Sequence, residues 1–219
     1  LTLDLGYRYS DYDTDQTADT WKTAMGWAIN EQVKVRASFQ RAIRAANLRE
    51  LFQPQGLNLF DMANDPCSGV TGGLSGTSAS GYTFDECARS GLTQAQWLAG
   101  GPPDSPAGQY NFLQGGNVDL EPEESDTVSY GVVLSPNFVE GLIVTIDYYD
   151  IEVEKAIDNI DPQTILTQCI ENGSFCDLVQ RGPNGNLWVG QAQVIATNVN
   201  LGFFQVKGWD VTGDYQLDR

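Results

Sequence analysis

Four cysteines are the residues whose chemistry is easiest to anticipate from this sequence. Cys67 and Cys87 lie in one long segment without strand alternation, and Cys169 and Cys176 lie in another. No Cys-x-x-Cys pair and no histidine accompany them, so a zinc site has little support. In an oxidising compartment, Cys67 would pair with Cys87 and Cys169 with Cys176, and each disulfide would stabilise its segment by about 2 to 4 kcal/mol. We expect two local disulfides, no metal and no cofactor.

Carboxylates are the next candidates for chemistry. The absence of histidine removes Ser-His and Cys-His nucleophile pairs. Two acidic clusters could in principle supply the acid and base of a glycosidase. They comprise Glu121, Glu123 and Glu124, and Asp147, Asp150, Glu152 and Glu154. Because acidic residues at a rim or on a polar strand face are commoner than catalytic pairs, we do not expect an enzyme.

Aromatic side chains lie among amides in the same two long segments. The first candidates for ligand contacts are Trp97, Tyr110, Phe112 and Trp188. An aromatic ring beside hydrogen-bonding amides suits sugars and other flat polar solutes. The alternative is that these segments pack on their own aromatic side chains.

The charge of the chain excludes one large class of partner. Its net charge is −17, from 29 acidic and 12 basic residues. Binding to a phosphate backbone depends on lysine and arginine, so we expect no nucleic acid. No run approaches the roughly 18 consecutive apolar residues of a membrane helix. Barrel strands, however, cross membranes with alternating polarity, which hydropathy does not detect.

Six segments alternate between apolar and polar residues. The predicted strands cover residues 1–10, 18–29, 32–43, 125–135, 141–154 and 203–217. The sequence is already alternating at its first residues and still alternating near its last, so we expect it to be a piece of a longer chain. Between the strands, short connections alternate with long ones, and residues 53–115 and 155–202 are expected to be long loops. Within the second, Asp161 and Pro162 read as the start of a helix.

This pattern predicts an all-β fold, an antiparallel up-and-down meander. Short turns at one rim and long loops at the other are typical of a transmembrane β-barrel with long extracellular loops. A soluble β-sandwich also alternates, but its loops are seldom so unequal. In a sandwich, Leu3, Val35, Val132 and Val144 would meet in a dry core.

Two short motifs bracket the first long loop. They comprise Arg44, Asn47, Leu48, Glu50, Leu51 and Phe52, and then Gly116, Asn117, Leu120, Pro122, Glu123 and Ser125. The pair resembles the bracket of TonB-dependent outer-membrane receptors. In that family a run of the type R-x-P-x-L-x-E-L-F leaves one barrel strand, and a run of the type G-N-x-x-L-x-P-E-x-S enters the next. Ala46 stands where the family usually has proline.

The resemblance implies that residues 1–219 are a C-terminal part of a plugged barrel of about 22 strands, without its plug domain. Such a receptor imports a scarce nutrient, here a ferric siderophore, a cobalamin or an oligosaccharide, through the outer membrane of a Gram-negative bacterium. Its partners would be outer-membrane lipid and a TonB-type energy-coupling protein, contacted through an amino-terminal part that this sequence lacks. The alternatives are a passive porin or adhesin barrel and a soluble carbohydrate-binding β-domain.

Overall fold

The computed structural model describes residues 1–13 and 16–217. The strands, in chain order, are β1 (Thr2–Tyr12), β2 (Gln16–Ala28), β3 (Val33–Arg44), β4 (Gly56–Asp61), β5 (Gln109–Gln114), β6 (Glu123–Leu134), β7 (Leu142–Glu154), β8 (Ile157–Asp158), β9 (Val179–Gln180), β10 (Gln193–Ile195), β11 (Val199–Asn200) and β12 (Phe203–Tyr215). The helices are α1 (Leu48–Phe52), α2 (Phe84–Ala88), α3 (Gln94–Leu98) and α4 (Pro162–Asn172), with 3-10 turns at Gly73–Ser75 and Cys176–Leu178.

The chain divides into two compact units. The wall unit comprises Leu1–Asn47, Leu120–Ile157 and the chain from Asn200 onward, and the loop unit comprises Leu48–Asp119 and Asp158–Val199. None of the helices in the described part of the chain has the length and hydropathy needed to cross a bilayer.

The wall unit is one antiparallel sheet with the strand order β1-β2-β3-β6-β7-β12. Consecutive long strands are neighbours throughout, so the predicted meander is confirmed. The strands β3 and β6 pair from Val33 opposite Leu134 to Arg44 opposite Glu123, although the first long loop separates them in sequence. The outer strands β1 and β12 remain edges, so this chain does not close a barrel by itself.

Two short turns join long strands at one rim of the wall sheet. Residues 29–32 connect β2 to β3, and the Asn30 side chain accepts hydrogen bonds from the backbone N–H groups of Gln32 and Val33, both at 2.9 Å. This turn is longer than the two residues, 30 and 31, that the predicted strands leave between them, because the asparagine side chain replaces a backbone acceptor. The β6–β7 turn ends at Gly141, whose φ of 80° and close approach to the Gln216 carbonyl both require glycine.

The two faces of the wall sheet differ in polarity, as the alternation predicts. Leu3, Val35 and Val132 lie on one face, where Leu3 is 63% exposed and Val35 is opposite Val132. Arg36 and Asp147 lie on the other face and form an ion pair across β6, where Gly131 leaves room for the carboxylate. Leu3, Val35, Val132 and Val144 all lie on strands of this one sheet, so they do not face one another across a sandwich core.

An aromatic belt crosses the apolar face of the wall unit. It comprises Tyr7, Trp21, Phe39, Tyr130, Tyr148 and Trp209. Neighbouring rings lie close together: the centroids of Trp21 and Phe39 are 4.8 Å apart, and those of Tyr148 and Trp209 are 5.1 Å apart. The belt runs across the middle of β7 and β12 rather than near their ends. Beyond it, in the direction of Arg44 at the end of β3, the same face becomes charged, with Arg41 paired to Asp126 and Lys207 paired to Asp150.

The loop unit is folded rather than irregular. Its sheet has the order β4-β5-β10-β9, in which β5 and β10 are parallel and come from different long segments. The helices α2, α3 and α4 pack around a shared core that includes Trp97, Leu166 and Leu187. The two segments predicted as long loops therefore contain helices and strands of their own, of which only the start of α4 was predicted. The other helices and strands of this unit have two to six residues, too few to show a hydrophobic periodicity in the sequence. Only α4 has a start that the sequence predicts.

The start of α4 follows the sequence signals. Asp161 is the N-cap, and its carboxylate accepts a hydrogen bond of 2.9 Å from the Thr164 N–H, while Pro162 occupies the first turn. The helix ends at Gly173, whose left-handed φ of 72° allows its N–H to reach the Cys169 carbonyl. Both ends of the longest helix were thus encoded locally.

Candidate functional site

Residues of the first motif form α1, and two asparagines of the loop unit donate hydrogen bonds to this helix. The Glu50 carbonyl at this helix accepts the Asn117 N–H at 2.9 Å and the Asn198 side-chain amide at 3.1 Å. The Asn117 side-chain amide in turn donates to the Asn198 carbonyl at 3.1 Å. One carbonyl of α1, that of Glu50, therefore accepts hydrogen bonds from an asparagine of the second motif and from one of the second long segment.

Close backbone packing explains the glycine of the second motif. A Cβ on Gly116 would lie 2.5 Å from the Leu51 carbonyl oxygen, so any side chain would push α1 away. Leu51 itself is buried, whereas Leu48 and Phe52 are exposed. The Leu-x-x-Leu-Phe run thus anchors through one leucine.

Arg44 of the first motif and Glu123 of the second lie where β3 ends and β6 begins. Arg44 on β3 and Glu123 on β6 form a two-pronged ion pair, with N–O distances of 2.5 and 2.7 Å. Glu123 also accepts the Ile157 N–H at 2.7 Å. Nearby, Leu120 is buried, and its carbonyl accepts a 2.6 Å hydrogen bond from the Gln16 side chain. Pro122 is half-buried, and Ser125 pairs with Ala42 across the β3–β6 ladder.

Lys155 joins the remaining acids of this rim. Its ammonium lies 2.8 Å from Glu121 and 3.0 Å from Glu124, and these two hydrogen bonds raise the pKa of Lys155 to about 12. The Asn200 side chain accepts the Glu121 N–H and donates to the Glu121 and Lys155 carbonyls. The rim is held together by charge-assisted bonds between segments far apart in sequence.

Five of the seven acidic residues considered for a glycosidase pair with cations. Glu121, Glu123 and Glu124 face Lys155 or Arg44, as described above. Asp147 pairs with Arg36, and Asp150 lies 3.1 Å from Lys207. These carboxylates serve as hydrogen-bond acceptors for cations, which suits a structural role.

Both predicted disulfides are present in the loop unit. Cys67 is bonded to Cys87, and Cys169 is bonded to Cys176. The first joins the segment after β4 to α2, and the second joins α4 to the 3-10 turn that follows it. Cys67, Cys87 and Cys169 are fully buried in the core.

Removing these disulfides is expected to loosen the loop unit unequally. Replacing Cys67 and Cys87 together by alanine should lower the free energy of local unfolding by about 3 kcal/mol, and replacing Cys169 and Cys176 by about 2 kcal/mol. The reason is the larger sequence separation of the first pair, 20 residues against 7. Hydrogen exchange of loop-unit amides measures the loss. Mass spectrometry of an unreduced digest checks the pairing, and a peptide linking Cys87 to Cys169 would contradict it.

Two of the four aromatic candidates for ligand contact lie in the loop-unit core. Trp97 has no exposed surface, and its indole N–H donates to the Gly73 carbonyl at 3.0 Å. Tyr110 is also fully buried; its hydroxyl accepts the Ser105 N–H at 3.2 Å, and burial raises its pKa. Neither side chain offers a surface to a ligand in this structure. They satisfy the alternative, a segment packed on its own aromatics.

Phe112 and Trp188 are only partly buried. Phe112 packs edge-on against Phe60, with ring centroids 6.3 Å apart. The Trp188 indole N–H donates to the Pro103 carbonyl at 3.0 Å. These two rings border the core, and their exposed parts remain on the surface of the loop unit.

The most buried polar contact of the loop unit was not visible in the sequence. Arg181 and Asp65 form an ion pair of 2.7 Å, with side chains 2% and 0% exposed. Arg181 also donates to the Ser90 hydroxyl at 2.9 Å and to the Gly185 carbonyl at 2.8 Å. Arg181 and Asp65 come from different long segments, 116 residues apart. Only the scarcity of basic residues in these segments could have drawn attention to Arg181.

The bracket, the two-faced meander and the folded loop unit together match a known family. The family model described as TonB dependent receptor-like, beta-barrel, matches residues 1–218. The chain belongs to this family. No curated protein sequence matches it.

Solved structures of TonB-dependent siderophore receptors have the same fold. The ferric enterobactin receptor PfeA of Pseudomonas aeruginosa, in complex with enterobactin, superposes with a TM-score of 0.57 at 17% identity, over 95% of this chain and 21% of that one. The siderophore receptor PirA of Acinetobacter baumannii gives 0.53 at 12% identity, over 95% and 22%. PirA of P. aeruginosa gives 0.50 at 16% identity, over 95% and 27%. This chain thus spans about a fifth to a quarter of each receptor.

Proposed function

We propose that this chain is the wall and external-loop segment of an outer-membrane receptor that actively imports a scarce nutrient. The nutrient is a siderophore complex, a cobalamin or an oligosaccharide, and a TonB-type partner supplies the energy. The family membership of residues 1–218 is the observation that carries this proposal. In it, the chain supplies six strands of a larger barrel in the outer membrane of a Gram-negative bacterium, and a plug domain outside this sequence fills the lumen.

The polarity of the wall unit supports a membrane location. The apolar face from Leu3 to the aromatic belt is exposed in this chain, and a face of this kind needs hydrocarbon around it. Aromatic rings belong at a membrane–water interface, so we place the outer boundary of the hydrocarbon at the belt. The charged positions beyond the belt then face lipid headgroups and water.

The loop unit is the proposed site of first contact with the nutrient. It is joined to the wall only at the long-loop ends of the strands, which are the external ends in a barrel of this type. Among the predicted aromatic candidates, Trp188 and Phe112 retain exposed surface, whereas Trp97 and Tyr110 would act only by supporting them.

Uptake by the full-length receptor in a Gram-negative host tests the proposal. We expect saturable uptake of one radiolabelled probe among ferric trihydroxamate, cyanocobalamin and maltohexaose, and we expect it to vanish in a strain lacking TonB. A receptor variant with residues 67–110 deleted should lose binding of the probe and still be found in the outer membrane.

Two outcomes would contradict the proposal. Uptake that persists without TonB and rises linearly with probe concentration would indicate a passive porin. A full-length protein that stays in solution without detergent would indicate the soluble carbohydrate-binding alternative.

A further inference from the structure

One disulfide of the loop unit and the buried ion pair of that unit belong to the same hydrogen-bonded network. The Cys67 N–H donates to the Asp65 carboxylate at 2.9 Å. Beyond the disulfide, the Ser90 hydroxyl donates to the Cys87 carbonyl at 2.7 Å. Arg181 closes the network, because its Nε donates to the Ser90 hydroxyl at 2.9 Å and its terminal nitrogens donate to Asp65 at 2.7 and 3.1 Å. We call these five residues the Arg181 network.

The first long segment supplies every member of the network except Arg181. Asp65 lies just before one cysteine of the disulfide, and Ser90 lies just after the other. The disulfide joins positions 20 residues apart, and so brings together the carboxylate and the hydroxyl that receive Arg181. Acceptors that are already in place lower the entropy cost of binding a donor. The oxidised first segment therefore contains a preorganised site for a guanidinium group.

Burial makes this site sensitive to its geometry. Ser90 is buried, and so are both cysteines and the Arg181 and Asp65 side chains. A buried guanidinium that loses an acceptor has no bulk water to replace it, so the loss is more costly than at a surface. A displacement of Asp65 or Ser90 after reduction would thus weaken the contact between the two long segments.

The second disulfide offers a contrast within the same unit. It joins Cys169 to Cys176, both in the second long segment, across a separation of only 7 residues. Among the residues that the structure describes, no hydrogen bond links it to the Arg181 network. Its redox state should therefore be indifferent to Arg181.

We propose that the Cys67–Cys87 disulfide is a redox switch for the docking of the second long segment onto the first. On oxidation the two sulfurs bond, each thiol releases a proton, and two electrons pass to a disulfide oxidant, which becomes a dithiol. The disulfide then positions Asp65 and Ser90 for Arg181, and reduction weakens the docked state. Because coupling between two sites is reciprocal, docked Arg181 favours the disulfide over the two thiols by the same factor. This inference does not depend on the proposed import.

The redox equilibria of both disulfides in the purified full-length receptor test the coupling. The receptor is equilibrated with mixtures of reduced and oxidised dithiothreitol, free thiols are alkylated, and mass spectrometry gives the oxidised fraction of each pair. Arg181→Met should lower the equilibrium constant for forming Cys67–Cys87 about tenfold, which raises its reduction potential by about 30 mV. The constant for Cys169–Cys176 should change less than about twofold. An unchanged Cys67–Cys87 constant would overturn the proposal.

Arg89→Met is the matched control for a lost arginine contact between the two segments. Arg89 donates to the Ile170 and Glu171 carbonyls of α4 at 2.7 and 2.8 Å, and these partners lie outside the Arg181 network. This variant should lower the Cys67–Cys87 constant less than about threefold. A decrease as large as that of Arg181→Met would show that any loosening of the unit weakens the disulfide, and the switch would be refuted.

Ser90→Ala provides a milder change, in case Arg181→Met unfolds the loop unit. It removes one acceptor of Arg181 and keeps the ion pair with Asp65, so the unit should stay folded. The Cys67–Cys87 constant should fall about threefold, and the Cys169–Cys176 constant should stay the same. No change at Cys67–Cys87, or equal changes at both disulfides, would contradict the coupling.

Hydrogen exchange of β10 measures the same coupling from the side of docking. Amides of β10 report contact between the segments, because this strand of the second segment pairs with β5 of the first. Arg181→Met should increase their opening equilibrium about tenfold less when Cys67 and Cys87 are both alanine than when the disulfide is present. Equal increases in the two backgrounds would mean that the disulfide and the ion pair act independently, and would overturn the proposal.

Discussion

Replacing Asp65 by alanine is expected to open the loop unit while the barrel strands stay folded. The change leaves the Arg181 guanidinium buried without its carboxylate, and breaking a buried pair in this way costs about 3 to 5 kcal/mol. Hydrogen exchange in the full-length receptor should show a matching loss of protection for loop-unit amides. Amides of β6 and β7 should be unaffected, because stability is local.

A pair of control variants separates the ion pair from a general effect of charge. Asp85→Asn removes an exposed acid of the same unit and should change protection by less than about 0.5 kcal/mol. Asp65→Leu combined with Arg181→Met removes both charges and should recover much of the loss, since an apolar pair needs no desolvation of ions. If Asp65→Ala leaves protection unchanged, the buried pair does not hold the two long segments together.

Replacing Trp97 by alanine should have a comparable effect for a different reason. Trp97 is fully buried and packs against Phe84, with ring centroids 5.9 Å apart, so its removal leaves a large cavity. Such substitutions cost about 3 to 5 kcal/mol. Loss of exchange protection in α3 and in the Gly73–Ser75 turn is the measurement, because the indole N–H holds the Gly73 carbonyl.

The same variant decides between a core role and a ligand role. Trp97→Phe keeps most of the volume and loses the hydrogen bond, so it should cost less, about 1 to 3 kcal/mol. Trp188→Ala, at a partly buried ring, is the matched control and should cost less than Trp97→Ala. If the Trp97→Ala receptor keeps its hydrogen-exchange protection but binds the nutrient more weakly, Trp97 contacts the ligand.

The expectations from sequence succeeded where the structure is governed by near neighbours. The alternation of Leu1 to Tyr9 predicts a strand with one apolar face, because successive side chains point to opposite sides. Asp161 and Pro162 predict the start of α4, because a helix start is satisfied by its own first turn. Each pair of cysteines lies within one segment, so proximity in sequence was enough to pair them.

The sequence predicted less where the deciding contacts join distant segments. The long segments were predicted as loops, and no local signal predicted that β5 pairs with β10, which lies about 80 residues later. Nothing near Trp97 or Tyr110 indicates that they are enclosed, because the side chains that cover them come from other elements of the unit. The exposure of a side chain depends on the fold of the whole unit. In a segment without regular alternation, the sequence therefore cannot distinguish a buried aromatic ring from one that contacts a ligand.

The sequence by itself determined the all-β meander, the two faces of its strands, the disulfide pairs and the bracket around the first long segment. These follow from side-chain alternation, turn residues and spacing, which act over a few positions. The tertiary structure alone decided that both long segments share one core and that Arg181 lies buried against Asp65. The physical reason is that burial and charge pairing depend on which distant segments come into contact, and the local sequence pattern does not predict those contacts.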